Sequence, residues 1–293
     1  MSFLHLKCIQ YAPDNLRNLE ITQALVCGKN LTSPETTQLF IASGLIHLFV
    51  VSGSHLIILN KMAHKIFNLA PATKNRTRSI LTQNNLILAL LFFYCGICNF
   101  NPPVVRSFIA LYLVVLFKKT SLKITLQNIT LISGLLCLML SPSWANSLSL
   151  QMSWLAALGL LIINEFYKNA SPLIKNSVFY TQYLATFQVL GIAPLNSIII
   201  AITLTSFLEY ILFPLALLTY LTRGVITSSV FDLTIDIIIF ILSHLELETT
   251  SKVFKHQSII FYNWFIIFLL HYFIYIFRKK PSSNPPPLHS SSC

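Results

Sequence analysis

The hydrophobic positions fall in runs that are apolar on every side, not in the one-sided stripe of a helix on a soluble surface. Such runs occupy residues 39–59, 86–100, 103–117, 124–141, 149–165, 178–193, 195–221, 231–244 and 257–277. An apolar helix of about 20 residues crosses a bilayer, and shorter ones occur where a helix is broken or re-entrant. The pattern predicts an all-α, polytopic transmembrane helical bundle with broken and short helices, of about seven to nine membrane segments. Pro102 and Pro103 separate two of the runs, which form either two spans or one broken hairpin. Outside the runs, residues 1–38 are mixed and polar and read as an N-terminal extracytoplasmic segment. Residues 39–278 form the membrane domain, and the Pro/Ser-rich residues 279–293 read as a disordered cytoplasmic tail. No internal repeat is visible, which weakens the inverted-repeat architecture of many carriers.

Composition sharpens this. Hydrophobic residues make up 55% of the chain and charged residues 10%, with a mean hydropathy of +0.70. A soluble domain carries roughly 25% charged residues to cover its surface, so a soluble fold is excluded. A disordered chain would be poorer in Phe, Ile and Leu. The net charge of +11 comes from 20 Lys and Arg against 9 Asp and Glu. It serves to orient helices, to attract a polyanion, or both. If the first run crosses inward, the inner loops collect Lys61, Lys65, Lys74, Arg76, Arg78, Lys118, Lys119 and Lys123. They also collect Lys168, Lys175, Arg223, Arg278, Lys279 and Lys280, while Lys7, Arg17, Lys29, Lys252 and Lys255 stay outside. By the positive-inside rule this predicts a multi-pass protein of a cytoplasmic membrane with a cytoplasmic C-terminus. Orientation alone then explains most of the charge. The outer N-terminal segment carries no signal-peptide pattern, which suggests that something upstream is missing.

Six cysteines, Cys8, Cys27, Cys95, Cys98, Cys137 and Cys293, show no disulfide-like framework. Cys95 and Cys98 form a C-x-x-C pair, but no second pair or His pair lies at metal-ligand spacing, so they read as small packing residues. No nucleotide-binding loop, HExxH or paired-carboxylate motif occurs. The sequence predicts no metal, no cofactor and no catalytic residue, and any nucleotide-driven transport would borrow its motor.

Polar residues inside the runs carry the signal, because such groups are costly unless they face protein or water. In Phe40–Leu59, FIASGLIHLFVVSGSHLIIL, a continuous helix would put Ser43, His47, Val51 and Ser54 within about 80°, beside Gly44 and His55. That face is either a small-residue packing surface or the lining of a path. Ser52-Gly53 could equally break the helix. Arg106 follows Pro102-Pro103 within one turn, and an arginine at mid-membrane costs about 2.5–3.5 kcal/mol on insertion scales. It needs an ion pair, with Glu209 as candidate counter-charge, or a phosphate, whose oxygens match its fork. Glu209 is otherwise a cation or proton site. Gln151 and Ser153 open an Ala- and Gly-rich span suited to close helix approach. Asp232 and Asp236 read as acids at a helix N-terminus near the inner surface.

These residues resemble a known family. Gln23–Lys29 (QALVCGK), Ser43–Leu48 with Phe40, and Val51–His55 (VSGSH) resemble the ComEC/Rec competence-protein membrane domain. That family carries "ALLLGdr" followed by "aGisHLlAiSGlH". Pro103–Ala110 resembles its "sxxRA" helix, and Leu150–Ala156 (LQMSWLA) its "FQLSFxA" segment, preceded by a proline as in Ser141-Pro142. The four elements agree in order and spacing over roughly residues 20–240. Ser54 stands where Leu is usual in SGLH, and Ser107 where Ala follows the arginine.

The resemblance implies a competence-type channel domain over 39–278, passing one DNA strand across the bacterial inner membrane during natural transformation. It places His47, Ser52, Gly53, Ser54 and His55 in the first signature, Arg106 in the second, and Gln151 and Ser153 in the third. Implied partners are single-stranded DNA, membrane lipid, a separate DNA receptor on the outer side and a cytoplasmic helicase or ATPase motor, with room for a homo-oligomer. Fuller members add an outer OB-like domain and a metallo-β-lactamase-like domain; nothing resembling HxHxDH follows the last run, so no enzymatic strand degradation is expected. Two other classes stay open. A small-ion or lipid carrier would use Glu209, and an intramembrane serine hydrolase would pair Ser52 or Ser54 with His244 or His271.

Overall fold

The computed structural model describes residues 2–13, 15–43, 45, 53–69, 76–120, 124–167, 169–171, 174, 175, 200, 203–205, 207–245 and 256–279. All regular structure among them is helical. Three short helices come first: α1 (Phe3–Tyr11), α2 (Leu19–Cys27) and α3 (Pro34–Ala42). Ser2 caps α1 by accepting the His5 N–H, and Ser33 caps α3 ahead of Pro34, whose missing N–H costs nothing in the first turn. Gly28 ends α2 in the left-handed conformation (φ 73°) that a C-cap favours.

The longer helices are α4 (Gly53–Leu69), α5 (Arg76–Ile97), α6 (Pro102–Thr120), α7 (Leu126–Leu140) and α8 (Leu148–Phe166). A π turn (Leu208–Leu212) leads into α9 (Phe213–Leu221), followed by α10 (Ser228–His244) and α11 (His256–Lys279). Helix α6 is the hub, packing on α4, α5, α7 and α8, and α11 lies along α8. Gly134 on α7 lets the Trp154 ring of α8 sit against the backbone; a Cβ there would collide with the indole. Trp264 lies near the start of α8 and Phe277 near its end, so α8 and α11 run parallel.

The N-terminal helices cover the end of the bundle where α6 begins. His5 Nδ1 is within hydrogen-bond distance of the Cys27 and Ile97 carbonyls, and the Asn101 amide donates to the Gly28 carbonyl. The end of α11 therefore lies on the opposite face. Alongside α4, Phe213 meets His55 and Tyr210 meets Lys61, so the π turn and α9 run antiparallel to α4.

Several expectations change. Among the described residues three helices are long and apolar enough to cross a membrane: Leu148–Phe166, Thr203–Leu221 and Ile260–Phe277. Gln83–Ile97 and Leu126–Leu140 are shorter apolar helices, so the count of seven to nine is not reached here. The run 178–193 and residues 46–52 lie outside the described residues. α3 ends at Ala42 with Ser43 as its C-cap, and most of the wheel drawn through 43–54 lies outside the described residues. The boundary at 38/39 falls inside α3. Residues before it supply Cys8, Ala12, Leu16, Ile21 and Ala24 to the same buried cluster as Leu212 and Phe231.

Two corrections concern sidedness and sulfur. Arg223 does not lie opposite the N-terminal segment: its guanidinium stacks on Tyr11. Asp232 and Asp236 likewise hold Arg17 and Asn18 of that segment. Counting apolar runs misassigned the α9–α10 turn because α9 runs toward this face. Cys8 and Cys27 form a disulfide across the packed pair α1 and α2, with Cα atoms 5.9 Å apart. Sequence spacing carries no sign of this, since the pairing depends on how two helices pack. Cys95, Cys98 and Cys137 are free and buried, as packing residues are.

Candidate functional site

Local chemistry sets each component at a similar depth. Pro102 and Pro103 begin α6, which fixes Arg106 and Ser107 just over one turn below its start. Asn99 and Phe100 take left-handed backbone (φ 54° and 52°) to turn the chain from α5 into α6. Ser147 caps α8 by accepting the Leu150 N–H at 3.4 Å, which puts Gln151 and Ser153 in the first turns below. Pro214 lacks the N–H that would continue regular helical bonding into the preceding turn. Glu209 sits in that turn, which is widened to a π turn, an arrangement frequent at functional sites.

The tertiary fold brings these pieces together. Arg106 Nε donates to Ser153 Oγ at 2.9 Å across the α6–α8 contact, and Nη2 reaches Ser107 Oγ at 3.5 Å. The Ser107 hydroxyl presses on Gly53: a Cβ there would collide with it and lie 3.6 Å from the Pro103 carbonyl. Glycine at 53 is thus required by the close approach of α6 to the start of α4. The next residue, Ser54, lies beside the Glu209 carboxyl. His55 lies flat against Phe213, ring centroids 4.1 Å apart and planes 9° from parallel. A polar seam therefore runs from α8 through α6 and α4 to the π turn.

The electrostatics of this seam are unbalanced at Arg106. The residue is 6% exposed, and its described hydrogen-bond partners are hydroxyls. Among the described residues no carboxylate forms an ion pair with it; the ion pair there is Arg17–Asp236. Glu209 lies beside Ser54 and forms no ion pair with Arg106. A guanidinium stays charged even when buried. Hydroxyls soften the desolvation penalty without neutralising the charge, and that leaves the position suited to an anion.

Gln151 belongs to a different contact. Its amide donates to the Ala145 carbonyl at 2.9 Å, and its oxygen accepts from Asn263 of α11 at 3.0 Å. Trp264 Nε1 donates to the same carbonyl, and Trp154 Nε1 donates to His271 Nε2, both at 3.0 Å. Gln151 thus joins α8 to α11, on the far side of α8 chemistry from Ser153. His47 and Ser52 lie outside the described residues. Of the two histidines considered as bases, His271 accepts from Trp154 Nε1, and His244 Nδ1 lies 2.8 Å from the Phe240 carbonyl of its own helix.

Sequence reasoning missed Asn263, although a lone amide in the apolar FYNWF stretch is itself a signal. It missed the Tyr11–Arg223 stack and the disulfide, for which no local signal exists. Residues 25–279 match the family described as Competence protein. No curated protein and no solved structure gives a significant match.

Proposed function

The chain belongs to the competence-protein family, and from that premise we propose that it is a channel component that takes up single-stranded DNA across a bacterial inner membrane. The observation that carries this reading is Arg106, a buried guanidinium held by Ser153 and Ser107 with no described counter-charge. A phosphodiester supplies the missing negative charge and matches the fork geometry. The strand passes along the seam without sequence readout, because phosphate contacts carry no base information.

Sidedness is part of the proposal. The Cys8–Cys27 disulfide suits an oxidising compartment, so the N-terminal helices face outward. The end of α11, with Arg278 and Lys279, then lies in the cytoplasm, in keeping with the positive-inside rule. Transport draws on a separate outer DNA receptor and a cytoplasmic helicase or ATPase; the chain itself performs no hydrolysis, and self-association is compatible with this role.

The test is uptake of labelled DNA in a strain carrying Arg106→Ala, with expression and membrane insertion checked in parallel. A stable, inserted and uptake-dead variant is the expected result. Undiminished uptake overturns the role of Arg106, and undiminished uptake after deletion of the gene overturns the channel reading. Glu209 in the π turn favours one second reading, a proton- or cation-coupled carrier. Coupled uptake lost in Glu209→Gln but kept in Arg106→Ala would select it.

A further inference from the structure

The turn between α9 and α10 is built unusually for its sequence, Thr222-Arg223-Gly224. Arg223 takes φ 52° and Gly224 φ 76°, two consecutive left-handed residues, the first of which has a side chain that disfavours that region. The turn is also pressed against the loop after α1. A Cβ on Gly224 would lie 2.6 Å from Asn15 Oδ1. This conformation sets the Arg223 guanidinium over the Tyr11 ring, 4.4 Å from its centroid. Tyr11 in turn packs on Tyr220, with centroids 5.7 Å apart. The Tyr11 ring, tilted by 49° against Tyr220, thus carries the cation on its face. Arg223 is exposed, so the residue stays accessible to solvent beside the ring.

The Tyr11–Arg223 pair borders a shallow, open depression of about 310 Å³ lined by Gln10, Tyr11, Ala12, Pro13, Asn15 and Arg223. That volume is near the lower end of small-ligand sites. The chemistry offered is a flat cationic surface, an edge of N–H donors and two side-chain amides. Bases stack on guanidinium planes as they do on aromatic rings, and the donor edge of the same group binds phosphate. Backbone strain at a surface residue that packs no core is also a mark of function.

We infer that this depression is a docking site for one nucleotide of a single strand, its base on the Arg223–Tyr11 stack and its phosphate on the guanidinium edge. Only an unpaired base presents its face, so the site selects single strands over duplex. The inference rests on the DNA-uptake reading above and adds a place, distinct from the Arg106 seam, where the strand is first held. It lies on the face that bears the disulfide, the outer face in that reading.

The test uses the full chain in nanodiscs of neutral lipid and a fluorescent oligo-dT, with binding read by anisotropy across a salt series. Arg223→Gly removes the guanidinium while suiting the left-handed backbone, so loss of binding cannot be put down to misfolding. It should weaken binding about tenfold, the scale of one lost base stack. It should also lower the slope of log affinity against log salt by about 0.7, the value for one phosphate contact on a single strand. Arg223→Lys should keep the slope while losing most of the affinity, and Tyr11→Leu should weaken binding and leave the slope unchanged. Equal oligo-dT binding by wild type and Arg223→Gly overturns the site and leaves the channel reading standing. No binding by wild type overturns the site, while the uptake assay above decides the channel reading separately. Val225 and Ile226 are 83% and 71% exposed in the same turn, and apolar side chains beside a cation also suit the boundary between lipid headgroups and acyl chains. Unchanged oligo-dT binding with weakened association to anionic vesicles would assign the patch to lipid and overturn the inference.

Discussion

Around Arg106 the described partners are hydroxyls borne by helices of the bundle, in a position 6% exposed. At the N-terminal face, Arg17 has a side chain 73% exposed and pairs directly with Asp236 at 3.0 Å, beside a covalent staple between α1 and α2. The first arrangement keeps a charge without neutralising it in a low-dielectric setting, where each partner matters. The second neutralises a charge in water, where pairing contributes little. On the proposed reading the buried cation is the one a phosphate would neutralise, whereas the exposed one is neutralised within the scaffold by Asp236.

Three changes break or sharpen this contrast, in falling order of effect. Replacing both Cys8 and Cys27 by Ser should destabilise the N-terminal face by about 3 kcal/mol, the entropic value of closing a loop of this size. Limited proteolysis of the nanodisc-embedded protein should then cut between α1 and α2 while leaving α8 and α11 protected. Cleavage no faster than in wild type would show that packing on α9 alone holds the face. Gly53→Ala should cost roughly 1–3 kcal/mol by overpacking against Ser107. Adding Ser107→Ala, which removes the colliding hydroxyl, should recover part of the loss in a thermal-shift measurement. No recovery would mean that the seam does not close through Gly53. Arg17→Ala or Asp236→Ala should shift stability by under about 1 kcal/mol, as expected of an exposed pair. A larger loss would put the face in a drier environment than its exposure indicates.

Much of the architecture can be read from the residues themselves. The all-helical, membrane-embedded character follows from apolar runs, and the start of α6 from Pro102-Pro103. The start of α3 follows from Ser33-Pro34, and the end of α2 from Gly28. The polar residues of the seam are equally legible as an anomaly, since Arg106, Ser153 and His55 stand in stretches where lipid-facing side chains would be apolar. What was misread has a common cause. Arg223 was assigned by counting runs, and a count is silent on the direction of α9. Glu209 matches Arg106 by opposite charge, yet among the described residues the two form no ion pair.

The sequence alone determined the solvent, the helical periodicity, the caps and the family motifs, because each depends on interactions within a turn or two of chain or on summed composition. The tertiary structure alone decided that Ser107 meets Gly53, that Arg106 meets Ser153, that Cys8 pairs with Cys27, and that Tyr11 receives Arg223. Those contacts join separate helices. They are chosen by how whole faces pack, with small residues admitting close approach and buried polar groups seeking partners, so no local window contains them.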